Sequence, residues 1–114
     1  MNAALEKIRA HFRSAMSGDM VCTTVPEWDD LKICARPLTG EQRDKVYPLL
    51  NEGKPHAFNV ATLVQVARTE DGDKMFAPAY QTALTKECDS VVLDRVITEL
   101  GVWAEPSEAE VKNS

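Results

Sequence analysis

A chain of 114 residues that is 44% hydrophobic and 27% charged has the length of one domain and the composition of an ordinary globular protein. Its formal net charge of -5 argues against nucleic-acid binding through a basic face. No apolar run approaches the ~18 residues of a membrane span, and the opening MNAALEKIRAHF lacks the unbroken apolar core of a signal peptide. The sequence reads as a protein that stays where it is made.

Residues 2–16 predict an amphipathic helix, with Leu5, Ile8, Phe12 and Ala15/Met16 spaced three or four apart and Glu6, Lys7, Arg9 and Arg13 on the other side. Gly18 ends it. Residues 20–36 predict a β-hairpin. MVCTTV is rich in β-branched residues. In LKICAR, Leu31, Ile33 and Ala35 alternate with Lys32, Cys34 and Arg36. PEWDD between them is turn chemistry, in which Pro26 sets φ and the aspartates accept turn geometry. A hairpin alone is marginal in water, so one face requires helices or another chain's sheet.

Pro37 stops the second strand. The TGEQ run starting at Thr39 is a capping box, with the Thr39 hydroxyl serving the Gln42 amide and Gln42 reaching back. Val46, Leu49 and Leu50 form the stripe of that helix, and Pro48 should kink or split it near Tyr47. Residues 51–56 read as a loop. Residues 57–68 fit a helix through Val60, Leu63, Val64 and Ala67, or a strand through Phe58, Val60, Val64 and Val66. Length and alanine content favour the helix. A turn on Asp71–Gly72 and an extended MFAP follow. A helix then opens after Pro78, with Tyr80, Ala83, Leu84 and Cys88 on its apolar side. Asp89 or Ser90 caps a last helix whose stripe is Val92, Leu93, Val96, Ile97 and Leu100, and Gly101 ends it. The expected class is mainly α, about five helices with a small N-terminal β-hairpin. Residues 1–104 form one domain in this reading, and 105–114 a mobile acidic tail.

Catalytic machinery is not evident. His11 sits on a charged helix face and His56 in a loop, and neither has a neighbouring nucleophile. Glu27, Asp29 and Asp30 cluster, yet the glycine of a Ca²⁺ loop is missing. No phosphate-binding or dinucleotide motif occurs, so no cofactor and no metal are expected. The odd cysteine count favours three reduced thiols, with a Cys22–Cys34 bond across the hairpin as the lesser alternative. Trp28 is open among core peg, protein contact and small-molecule site, and Trp103 likewise. Arg36 and Arg43 flank the helix start.

Three stretches resemble the tail assembly chaperones of long-tailed bacteriophages. The first is VPEW…LKICARPLTGEQRD, in which Arg36, Leu38, Thr39, Gln42, Arg43 and Asp44 stand at the places of that family's pattern. The second is VQVARTEDGDKMFAP, matched at Asp71, Gly72, Met75 and Phe76. The third is ALTKECDSVVLDRVITELGV, matched at Leu84, Val92, Leu93, Arg95 and Leu100, though ELGV lacks the usual asparagine and Pro48 is a further departure.

The resemblance implies a non-enzymatic factor of the host cytoplasm that is absent from the mature virion. Its partners would be the tape measure protein, the major tail tube protein and further copies of itself in a ring or open spiral. Nucleic acid and membrane are not among them. Trp28, Arg36, Arg43 and Trp103 are the expected contact residues. The resemblance further implies the short product of a pair whose longer member arises by ribosomal frameshifting. Rival readings are another small phage morphogenesis protein, for head–tail joining or tail completion, and a small acidic protein-binding regulator.

Overall fold

The computed structural model describes residues 2–103. The tail expected beyond about Glu105 lies outside them. In chain order the elements are α1 (Ala3–Ser17), β1 (Val21–Val25), β2 (Leu31–Ala35), α2 (Gly40–Asn51), α3 (Pro55–Val66), α4 (Gln81–Glu87) and α5 (Ser90–Leu100). Five α-helices and one antiparallel hairpin are thus present among the described residues, the class expected from sequence.

The central element is α3. Val60, Ala61, Thr62, Leu63, Val64 and Val66 are all buried, so this helix is covered nearly all round. That explains why its sequence carries no clean helical period and could also be drawn as a strand. Its one buried hydroxyl is satisfied, since Thr62 Oγ1 donates to the Phe58 carbonyl at 2.9 Å. α5 packs along α3 through Leu93, Val96 and Leu100, and β1 lies against α5, so that Val25, Ile33 and Ala35 of the hairpin join the same core. Burial of such side chains contributes about 1.5–3 kcal/mol each.

The helix ends follow the sequence signals. The Thr39 amide donates to Gln42 Oε1 at 2.9 Å and the Gln42 amide to Thr39 Oγ1 at 3.1 Å, the reciprocal pair that starts α2. Asp89 Oδ1 accepts from the amides of Val91 and Val92 at the start of α5. Gly101 ends α5 at φ +63°, a conformation that a side chain disfavours. The Asp71–Gly72 turn closes through the Gly72 amide on the Thr69 carbonyl and the Thr69 amide on the Asp73 carbonyl, both 2.9 Å.

Several expectations need correction. Pro48 does not split α2, which runs unbroken to Asn51. Only three residues follow Pro48 in the helix, so little downstream structure depends on the bond that proline forfeits. The loop before α3 is shorter than expected, because Pro55 and His56 already belong to the first turn of α3, a place that suits proline. Tyr80 is exposed, so the apolar side of α4 is narrower than its sequence suggested.

The cysteines differ as well. Cys22 and Cys34 are joined by a disulfide, and Cys88 alone remains free. The register pairs Cys22 directly with Cys34. The backbone N–H and C=O of Cys34 point the other way, to Arg68 at 2.9 and 2.7 Å. Cys22 and Cys34 are therefore a non-hydrogen-bonded pair, the kind in which opposed side chains lie closest.

Two measurements check this architecture. Thr39→Ala is expected to cost about 1 kcal/mol in urea unfolding, the usual worth of a side-chain cap. Thiol titration of the unfolded, air-oxidised chain should return one thiol, Cys88, and three after reduction. Three without reductant would contradict the bond.

Candidate interaction surface

Trp28 lies in the short 3₁₀ turn Pro26–Trp28 that links the strands. Asp29 and Asp30 follow, both at φ +57°, a left-handed conformation that aspartate accepts better than most residues. The turn is tied to α5 by a fork. Arg95 Nη1 and Nη2 donate to the two Glu27 carboxylate oxygens at 2.7 and 2.5 Å. Glu27 is thereby occupied, and the acidic cluster is a turn held by an arginine. The bonds from Arg95 hold the Glu27 carboxyl down from its ordinary 4.5 to about 2.

With the turn held there, Trp28 packs half-buried against the core. It forms one wall of an open, mostly apolar concavity of about 220 Å³, with Leu31, Leu63, Phe76, Leu84 and Cys88 and the carboxylate-bearing Glu87. Trp28, Phe76 and Leu84 come from three separate parts of the chain, each within one of the stretches singled out in the sequence. Burial first, and then the neighbouring Asp89 charge, push the Cys88 thiol up. It stays protonated and behaves as apolar lining.

Arg43 and Trp103 meet elsewhere. The Arg43 guanidinium lies 5.2 Å from the centre of the Trp103 ring. Trp103 also lies 5.2 Å from Phe58 and 5.5 Å from Tyr47, centre to centre. Arg36 takes a third position, its Nε donating to the Gly18 carbonyl at 3.3 Å. The four residues proposed from sequence therefore do not form one site. Arg43 and Trp103 come together, while Trp28 and Arg36 each line a different concavity.

A further surface is α1. Leu5, Ile8 and Phe12 form its apolar stripe, yet Ile8 is 66% and Phe12 50% exposed. The molecule is correspondingly long in one direction, 48 × 31 × 28 Å. Periodicity identified the helix and its stripe; it carried no information about whether anything in this chain covers that stripe.

His11 is exposed, as expected. His56 is not a free loop residue. Its Nε2–H donates to the Thr85 carbonyl at 3.0 Å and links α3 to α4, while Nδ1 is buried without a partner. Among the described residues no group of three or more His, Cys, Asp or Glu is placed to hold a metal ion. No helix among them is long and apolar enough to cross a membrane.

β1 of the hairpin lies against α5, and α5 lies along the buried α3. This fold is similar to that of a solved structure, the bacteriophage HK97 tail assembly chaperone. It matches at a TM-score of 0.63 over 76% of this chain and 81% of that one, with 16% sequence identity. No family model matches the sequence, and no curated protein matches it.

Glu27 gives a pH prediction. Its carboxyl is depressed in the fold, so the pair's stabilisation is complete above about pH 4.5 and disappears as pH falls toward about 2. In Glu27→Gln, the loss of melting temperature across that window should be smaller than in the parent, and the difference should shrink in salt. Trp28→Ala should still fold, at a cost of about 2 kcal/mol, below the roughly 3–5 kcal/mol of a fully buried aromatic. Urea unfolding measures it, and failure to fold would place Trp28 in the core proper.

Proposed function

We propose that this chain is a phage tail assembly chaperone. It binds and solubilises the tape measure protein, helps recruit the tail tube protein during tail morphogenesis, and is absent from the mature virion. It acts in the host cytoplasm, as the shorter product of a frameshifted pair, with residues 1–104 as its working domain. The single observation that carries this reading is the convergence of the three chaperone-like stretches. Glu27 of the first is bonded to Arg95 of the third, and Trp28, Phe76 and Leu84, one from each, line one apolar concavity. Residues that resemble a family's pattern far apart in sequence are here neighbours in a shared fold.

The surfaces suit the role. A long helical client offers apolar side chains at repeating intervals, which a shallow apolar concavity takes one at a time. Many such weak contacts along one client add up through multivalency and remain displaceable when tube protein arrives. The uncovered stripe of α1 supplies a second apolar surface for contact between copies in a ring or open spiral. Trp28 is the contact residue in the concavity. Trp103 with Arg43, and Arg36 at the base of α1, are contacts with the other partners.

Co-expression with the tape measure and tail tube proteins, followed by affinity capture of this chain, tests the proposal. Both partners should be recovered, and the chain should be missing from purified virions by mass spectrometry. Ile8→Glu with Phe12→Glu should keep the parent melting temperature, because both side chains are already exposed, while self-association falls at least tenfold. Recovery of neither partner would sink the reading.

A further inference from the structure

The stripe of α1 and the concavity around Trp28 are both apolar, and their margins carry opposite charge. On α1, Leu5, Ile8 and Phe12 are exposed. Each residue of a helix is turned about 100° from the last. Arg9 follows Ile8 and Arg13 follows Phe12, so both arginines border the stripe on one side, and both are exposed. Lys7 adds a third positive charge to the helix against the single carboxylate of Glu6, which lies 3.6 Å from Arg9.

The margin of the concavity is acidic. Glu87 lines it. Asp29 and Asp30 span the chain between Trp28 and Leu31, which both line it, so they lie at its edge. Asp89 follows Cys88, and its charge reaches that thiol. The cations next to these residues in the chain are Lys86, beside Glu87, and Lys32, which is paired with Glu70 at 3.3 Å. Negative charge therefore prevails around the opening.

The two surfaces stand at opposite ends of the hairpin. α1 leads into β1 at Val21, which pairs with Ala35, whereas Trp28 follows Val25 and its partner Leu31 at the other end. Among the described residues no other helix or strand packs along α1. Its last turn is anchored, since Met16 lines a concavity with Arg36 and Val66. No described residue of α1 lines the Trp28 concavity of its own copy. Donor and acceptor are thus both open on the same chain.

We propose that the α1 stripe of one copy seats in the Trp28 concavity of the next, with Phe12 entering it and Arg9 and Arg13 facing Glu87, Asp29 and Asp30. An apolar helix face in an apolar groove is a common mode of recognition, and the charges fix which helix fits. The concavity is smaller than the roughly 300 Å³ at which small-molecule pockets begin, a size for one or two side chains. Because donor and acceptor are different surfaces, the contact is heterologous and each joined pair can add further copies. It specifies the contact between copies in the proposed function, and rests on that reading only for self-association. A neighbour's α1 and an apolar client compete for the same concavity.

Sedimentation equilibrium of the full chain, from about 10 μM to about 1 mM, covers the range in which weak single contacts are populated. The parent should pass from monomer to species larger than a dimer. Phe12→Glu removes the donor and Trp28→Ala the acceptor, and each alone should weaken association about tenfold or more. Their equimolar mixture should form one-to-one dimers and nothing larger, because only one intact donor and one intact acceptor remain per pair. Glu87→Arg changes an exposed side chain and should replace Trp28→Ala in the same mixture, with circular dichroism checking the fold of each variant. A parent that stays monomeric, or mixtures that stay monomeric with both acceptor variants, would overturn the proposal. Neither result touches the capture of tape measure and tail tube proteins, so its failure is distinct from failure of the chaperone reading.

Discussion

The fold depends on one backbone exchange. Strands of five residues do not hold a hairpin together in water by themselves. Here the free edge of β2 is closed by Arg68, whose amide and carbonyl bond to those of Cys34. Arg68 is two residues beyond the end of α3, so the exchange fixes where the buried helix stops and sets it against the hairpin. Val60, Leu63 and Val64 share one core with Val25, Ile33 and Ala35, and α5 packs against both β1 and α3. The Met75 amide bonds back to the Ala67 carbonyl, which continues the same line. The Glu27–Arg95 fork and the packing of β1 on α5 join this exchange in holding the hairpin to the helices.

Local chemistry was the legible part of the sequence. Thr39 with Gln42, Asp89, Gly101 and the Asp71–Gly72 turn each act within a few residues, and each stands where its residue type requires. Alternation in LKICAR placed Ile33 and Ala35 in the core but failed at two other positions: Cys34, read as facing away, is fully buried, and Leu31, read as facing in, is exposed. Relations across the chain were not legible. Nothing near Cys22 or Cys34 specifies register, and the parity of the cysteine count pointed to free thiols. The hydrogen bond from the half-buried His56 to α4 needed the position of Thr85, 29 residues on. The helical stretch 57–68 looked ambiguous because a fully enclosed helix has no wet face to give it a period. Of the candidate site, sequence supplied Trp28, Arg43 and Trp103 as individuals. It did not supply their division between separate surfaces, nor the part of Phe76, Leu84 and Cys88.

Charge and apolar exposure divide the molecule. The apolar concavity around Trp28 and the stripe of α1 suit partners that bury hydrophobic side chains. The concavity lined by Arg36 and Arg68 suits negative charge. A protein that holds a client weakly and then releases it benefits from this separation, because apolar contact is little affected by salt whereas the charged face is screened.

The Cys22–Cys34 bond closes the segment carrying Trp28 into a covalent ring within a single chain. Exchange of β1 between two copies, a common route by which small hairpin proteins form intertwined dimers, requires that ring to open. Under oxidising conditions each copy must therefore associate as a finished unit, surface to surface. Reduction removes that topological barrier while leaving the Cys34–Arg68 backbone pairing untouched.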